Sequence, residues 1–190
     1  MTTREERRIL LWVAREAIRS RLEGRPEPRL DREAIPPTLW KPGASFVTLT
    51  IEGRLRGCIG SLQAYRPLVE DVQQNAIAAA FHDPRFPPLT WAEFERVLIE
   101  ISILSEPQPL AFEGPEDLLR KLRPGVDGVV LHYRGRRATF LPQVWEQLPD
   151  PRDFLSNLAY KAGLPPDAWR WPGVQIETYQ VEKFTEAEVE

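Results

Sequence analysis

Two turn dipeptides, Glu52-Gly53 and Arg134-Gly135, constrain the fold of this 190-residue chain more than any other feature. Each sits between runs that alternate apolar and polar residues, which is the sequence signature of a β-hairpin. Residues 46–52 place Val47, Leu49 and Ile51 on one face and Phe46, Thr48 and Thr50 on the other, and residues 54–59 return. The two-residue period of a strand then points Arg56 and Cys58 to one face and Leu55, Gly57 and Ile59 to the other. The second hairpin is expected over 126–133 and 136–141. A buried strand is expected over 97–104, where Glu100 and Ser102 interrupt an isoleucine-rich run, and a last strand over 174–184, followed by a polar tail.

Helices fall around these hairpins. Thr3 and Glu6 have the spacing of a capping box, and Ile9, Leu10, Val13, Ala17 and Ile18 form one apolar stripe, so a helix is expected over 3–22. Pro67 opens a second helix, with Leu68, Val72, Asn75 and Ala79 on one face; it ends near His82 because Pro84 disfavours a helical Asp83. Shorter helices are expected over 91–94, 115–122 and 142–148, with 107–115 a connector. Asp150-Pro151 starts a further helix that Gly163 ends. Residues 25–45, with Pro26, Pro28, Pro36, Pro37 and Pro42, read as an ordered surface loop. Helices interspersed among hairpins, rather than alternating with single strands, favour an α+β fold with antiparallel or mixed sheets and flanking helices.

Composition narrows the function classes. One cysteine excludes an internal disulfide and a cysteine-rich zinc site, and the two histidines have no metal-ligand spacing, so no metal is expected. Neither GxGxxG nor GxxxxGK[ST] occurs, so no nucleotide cofactor is expected. A net charge of −3 disfavours nucleic-acid binding. No apolar run approaches the ~20 residues needed to span a bilayer, and the first residues lack a signal-peptide core; the expectation is a cytoplasmic protein without a membrane anchor. Lysine occurs only at 41, 121, 161 and 183 while prolines number 19, a bias compatible with a thermophile and equally with a G+C-rich genome.

The candidate chemistry gathers around Cys58. Gly57 and Gly60 flank it, and a glycine inside a strand marks a bulge or a close approach to the backbone. The thiolate is a strong nucleophile and Arg56 is a nearby cation, but a lone cysteine is also commonly a small buried hydrophobe. His82, Asp83 and Arg85 lie in a loop framed by Pro84, Pro87 and Pro88. His82 is either a base or a solvated helix cap. Glu100 is either a functional carboxylate pairing with Arg56 or Arg85, or one residue of a solvated sheet face. Asn75, on an apolar stripe, reads as a buried amide bonded to backbone.

Leu55-Arg56-Gly57-Cys58-Ile59-Gly60 resembles the hallmark of the AMMECR domain family. Phe46-Val47-Thr48-Leu49 precedes it, and Asp83-Pro84-Arg85-Phe86 with Leu89 follows. Next come Ile99-Glu100-Ile101-Ser102, Phe140-Leu141-Pro142-Gln143-Val144-Trp145, Phe154-Leu155 with Leu158, and Lys161-Ala162-Gly163. The blocks cover residues 46–184 in family order, and residues 1–45 carry less of the pattern. The resemblance implies a single domain over 1–190, with two unequal lobes around a cleft lined by the hexapeptide and the Asp-x-Arg-Phe loop. The candidates are then Cys58, His82 and Glu100 for catalysis and Arg56, Gly57, Gly60, Asp83 and Arg85 for substrate binding, with no cofactor. Prokaryotic members are called AmmeMemoRadiSam system protein A, which implies a Memo-like protein and a radical SAM protein as partners. Two functions stay open: a cysteine-dependent enzyme acting on a small molecule or peptide in the cleft, and a non-catalytic binding or adaptor module for such a partner.

Overall fold

In the computed structural model, which describes residues 1–189, the chain runs through α1 (Arg4–Leu22), β1 (Ala44–Ile51), β2 (Arg54–Gly60), α2 (Leu68–Phe81), α3 (Trp91–Phe94) and β3 (Leu98–Leu104). It continues through β4 (Gln108–Pro109), α4 (Gly114–Lys121), β5 (Gly128–Tyr133), β6 (Arg136–Phe140), α5 (Pro151–Lys161), β7 (Gln175–Tyr179), β8 (Val181–Thr185) and α6 (Glu186–Val189). Two units result. Met1–Leu104 and residues 182–189 make one, and Ser105–Val181 the other.

The first unit is a four-stranded sheet, β2-β1-β3-β8, in which β1 is antiparallel to both neighbours. One face carries Val47, Leu49, Ile99, Ile101 and Phe184, all without solvent exposure, and α1 and α2 cover it. The N-terminus of α1 is fixed as its sequence requires. Glu6 N donates to Thr3 Oγ1 at 3.1 Å and Thr3 N donates to Glu6 Oε2 at 2.7 Å, a reciprocal cap of the kind that stabilises a helix by about 1 kcal/mol. The small residues of α2 allow close approach to the sheet: a Cβ at Gly57 would overlap the Ala79 carbonyl oxygen.

A buried polar cluster joins α2 to the sheet. Asp71, with no exposed surface, accepts Ser45 N at 2.8 Å, Ser45 Oγ at 2.7 Å and Asn75 Nδ2 at 3.0 Å on one oxygen, and Ser61 Oγ at 2.8 Å and Arg66 Nε at 2.7 Å on the other. Asn75 Nδ2 also donates to the Ser45 carbonyl at 3.0 Å, as a buried amide on that stripe should.

The second unit repeats the plan with the antiparallel sheet β4-β7-β5-β6. Val129, Leu131 and Ile176 face Leu118, Leu155 and Leu158 of α4 and α5, and Trp145 stacks on Phe154 at 3.7 Å between ring centroids. Both hairpin turns place two consecutive residues at positive φ (Glu52 51°, Gly53 75°; Arg134 45°, Gly135 79°), the geometry whose twist matches that of the flanking strands.

Three expectations are corrected. The last strand is two strands in different sheets. The break is at Gln180, whose N–H donates to Ser105 Oγ at 2.8 Å and whose carbonyl accepts Ser105 N at 2.9 Å. The polar tail ends in α6, held because Arg15 pairs with Glu186 and Arg8 Nε donates to the Val189 carbonyl at 2.7 Å. The connector over 107–115 contributes β4.

The face assignment in β2 also changes. Ile51 pairs with Arg54 and Thr50 with Leu55, but Leu49 then pairs with Gly57 and Thr48 with Cys58. Arg56 is the extra residue of a β-bulge, so Leu55 shares the Cys58 face rather than that of Gly57.

Candidate functional site

The face of the first sheet turned away from α1 and α2 carries a row of three side chains. Thr48 in β1 is directly opposite Cys58 in β2 and directly opposite Glu100 in β3. The Thr48 hydroxyl donates to Cys58 Sγ at 3.3 Å, and Cys58 is half-buried. Glu100 is half-buried too, with no hydrogen bond or ion pair among the described residues, so its carboxylate is free.

β2 is an edge strand, and Cys58 turns its own N–H and carbonyl away from β1. Asp83 Oδ2 accepts the Cys58 N–H at 3.0 Å, and Arg85 Nη2 donates to the Cys58 carbonyl at 3.4 Å. Arg85 in turn grips Asp83 bidentately, Nε to Oδ1 at 3.0 Å and Nη2 to Oδ2 at 2.8 Å, while its backbone N–H donates to Oδ1 at 3.0 Å. The Asp-x-Arg loop is therefore a clamp on the cysteine's backbone, and it blunts a strand edge that would otherwise offer free backbone groups.

The Arg85 side chain above all, and then the N–H groups of Cys58 and Arg85, hold the Asp83 carboxyl well below the usual carboxylate range, against the opposing effect of burial. Arg85 is raised by Asp83, with a smaller contribution from Cys58. Asp83→Asn is expected to cost about 1–3 kcal/mol at neutral pH, because a charged acceptor of several hydrogen bonds is lost. A depressed folded pKa contributes stability that is complete above the unfolded value of about 4 and fades as the pH falls below it. Urea unfolding of the two proteins should thus differ at neutral pH, and the gap should narrow steadily as the pH falls below about 4 toward the depressed folded value; a gap that stays constant would count against the clamp.

Other sequence candidates are placed differently. Arg56 is buried; it pairs with Glu93 and donates from Nη2 to the Pro87 carbonyl at 2.7 Å. Its Nη1 has no hydrogen-bond partner among the described residues, and the guanidinium lies 5.5 Å from the Phe86 ring centroid, where the ring face offers it a cation–π contact. It therefore pairs neither with Glu100 nor with the sulfur, and forms a strut between β2 and the 83–93 segment. Gly57 and Gly60 are placed against the protein's own atoms. The space beside them is filled by the Ala79 carbonyl and by the Phe46 ring, so the close approach they permit is to the protein itself. His82 is the exposed cap residue of α2, and its imidazole forms no hydrogen bond among the described residues. The sequence reasoning missed Thr48 and Glu93. The alternation of β1 had put Thr48 on the polar face, and only the register places it beside Cys58.

An α+β chain with two four-stranded sheets and a cysteine clamped by an Asp-x-Arg loop is the class of protein these elements define. The AMMECR1 family model matches residues 11–184, and the chain belongs to that family. It is 38% identical to a protein from Methanothermobacter thermautotrophicus over 185 residues, covering 97% of this chain and 96% of that one. It is 36% identical to the protein MJ0810 of Methanocaldococcus jannaschii, with coverage of 99% and 94%. The crystal structure of the uncharacterized protein PH0010 from Pyrococcus horikoshii superposes with a TM-score of 0.76 at 35% identity, covering 93% of this chain and 89% of that one. Among the described residues no helix is long and apolar enough to cross a membrane, and no group of three or more metal-ligating side chains occurs.

Proposed function

We propose that the outer face of the first sheet is a reaction surface on which Cys58 acts as a nucleophile toward an acyl group of a small molecule or peptide. The observation that carries this reading is the row Cys58–Thr48–Glu100, with a free carboxylate at one end and the Arg85 guanidinium, its side chain 55% exposed, fixed beside the other. Glu100 is the general base for the thiol proton, which a bridging water carries across the face past Thr48, whose hydroxyl donates to the sulfur. The sulfur forms a bond to the acyl carbon as the bond to the leaving group breaks; that group departs with the electron pair and takes a proton from Glu100. Water then hydrolyses the thioester and restores the thiol. Arg85 supplies a cation for a substrate anion, while the Cys58 N–H, already given to Asp83, takes no part in stabilising an oxyanion.

The test is p-nitrophenyl acetate as an acyl donor. The expected result is a burst of p-nitrophenolate stoichiometric with protein, an acetyl group on Cys58 by peptide mass spectrometry, loss of both in Cys58→Ala, and a slowing of about tenfold or more in Glu100→Gln. Acetylation no faster than that of free cysteine would overturn the nucleophile role.

A second reading rests on a different observation. Leu55 and Leu98, 43% and 39% exposed, both pair with Thr50 on the same face. Apolar residues on an open sheet face suit a protein partner, here a Memo-like protein or a radical SAM protein. Co-purification of such a partner with the wild type, and its loss in Leu55→Glu, is the outcome this reading requires.

A further inference from the structure

The second unit contains a groove of ≈ 770 Å³ lined by none of the Cys58-site residues. Its size is that of cavities holding small molecules, roughly 300–1,000 Å³. Leu110, Phe112, Trp169, Trp171 and Ile176 give it an apolar lining. Two of these walls are fixed: Trp169 is buried with its Nε1 donating to Ser156 Oγ at 3.1 Å, and Trp171 packs edge-on against Tyr133 with centroids 5.5 Å apart.

Four polar side chains, His132, Arg170, Gln175 and Glu177, complete the lining. Arg170 is exposed, its guanidinium 4.7 Å from the Trp169 ring centroid, and no carboxylate pairs with it among the described residues. His132 Nε2 is hydrogen-bonded to Glu177 Oε1, which leaves Nδ1 without a partner. Glu177 is the only carboxylate among the lining residues, and the imidazole occupies it. A guanidinium stacked on a fixed ring is already oriented, and its planar fork matches a carboxylate bidentately.

We propose that this groove binds a small molecule with an aromatic or aliphatic body and a carboxylate at one end. The body lies against Phe112 and Trp171, the carboxylate on Arg170, and His132 Nδ1 offers a further polar contact. This site is independent of the chemistry at Cys58.

Titration calorimetry of the full chain with 2-naphthoate and with its neutral analogue 2-naphthamide tests the proposal. The acid should bind about tenfold more tightly than the amide, since a charge-assisted hydrogen bond is at stake. Arg170→Gln, at an exposed position, should remove that preference while leaving the amide's affinity unchanged, and Trp171→Leu should weaken both. Cys58→Ala should bind both probes as the wild type does. Equal affinities for acid and amide, a preference that survives Arg170→Gln, or no saturable binding of the acid at millimolar concentration would each overturn the assignment.

Discussion

Asp71→Ala is expected to lower the unfolding free energy by about 3–5 kcal/mol, the cost of removing one partner from a buried, hydrogen-bonded charge cluster. The carboxylate has no exposed surface and accepts five hydrogen bonds, from Ser45 N and Oγ, Ser61 Oγ, Arg66 Nε and Asn75 Nδ2. Its removal leaves all five donors short of a partner, most of them where water cannot replace it. For a chain of this size the loss corresponds to a fall of roughly 10 °C in the thermal midpoint. Arg66→Ala should cost less, because that side chain is 24% exposed and its absence leaves a carboxylate still bonded to both serines. Equilibrium urea unfolding of the two variants provides the comparison. A loss below about 1 kcal/mol in Asp71→Ala would mean that the cluster is no more than a surface-grade arrangement.

Gly57→Ala carries the second large effect. The added methyl would overlap the carbonyl oxygen of Ala79, a backbone atom in the last turn of α2, so helix and strand would have to separate. Overpacking of this sort costs about 1–3 kcal/mol, and more where the obstacle is backbone. Gly60→Ala meets the Phe46 ring, a half-buried side chain that can turn aside, and should be the milder change. Thermal denaturation should rank the two, with Gly57→Ala the less stable protein. The reverse order would refute the assignment of Gly57 to close helix–strand packing.

These effects also mark where sequence reasoning succeeds and where it stops. Capping boxes, proline-initiated helices and positive-φ turn dipeptides are local, so Thr3, Pro67, Glu52-Gly53 and Arg134-Gly135 announce their elements correctly. Register is not local. Counting back from the Glu52-Gly53 turn without a bulge sets Cys58 opposite Val47, on the core face. The observed bulge at Arg56 moves it opposite Thr48, on the outer face. Gly57 signals a bulge or a close backbone approach without saying which, and Arg56 is accommodated by Glu93 and Pro87, more than thirty residues away. The Asp83–Arg85 pair was legible as a motif, but not as a clamp on the Cys58 backbone, since backbone groups carry no sequence label. The aromatic groove escaped for a related reason: Phe112, His132, Trp169 and Glu177 come from four separated segments that only the second sheet assembles.

The paired hydrogen bonds between Ser105 and Gln180 give the chain the topology of a cassette. Its entrance and exit lie side by side, so the segment between them can be gained or lost in one genetic step while β3 and β8 remain neighbours in their sheet. Synthesis meets the same arrangement as a delay. Phe184, which completes the first core, and Glu186, which anchors Arg15, leave the ribosome only after the whole cassette has been made. The nascent first unit therefore waits with an open core face, while the inserted unit, whose sheet is drawn from residues 108–179, has left the ribosome before Phe184 and Glu186 are made.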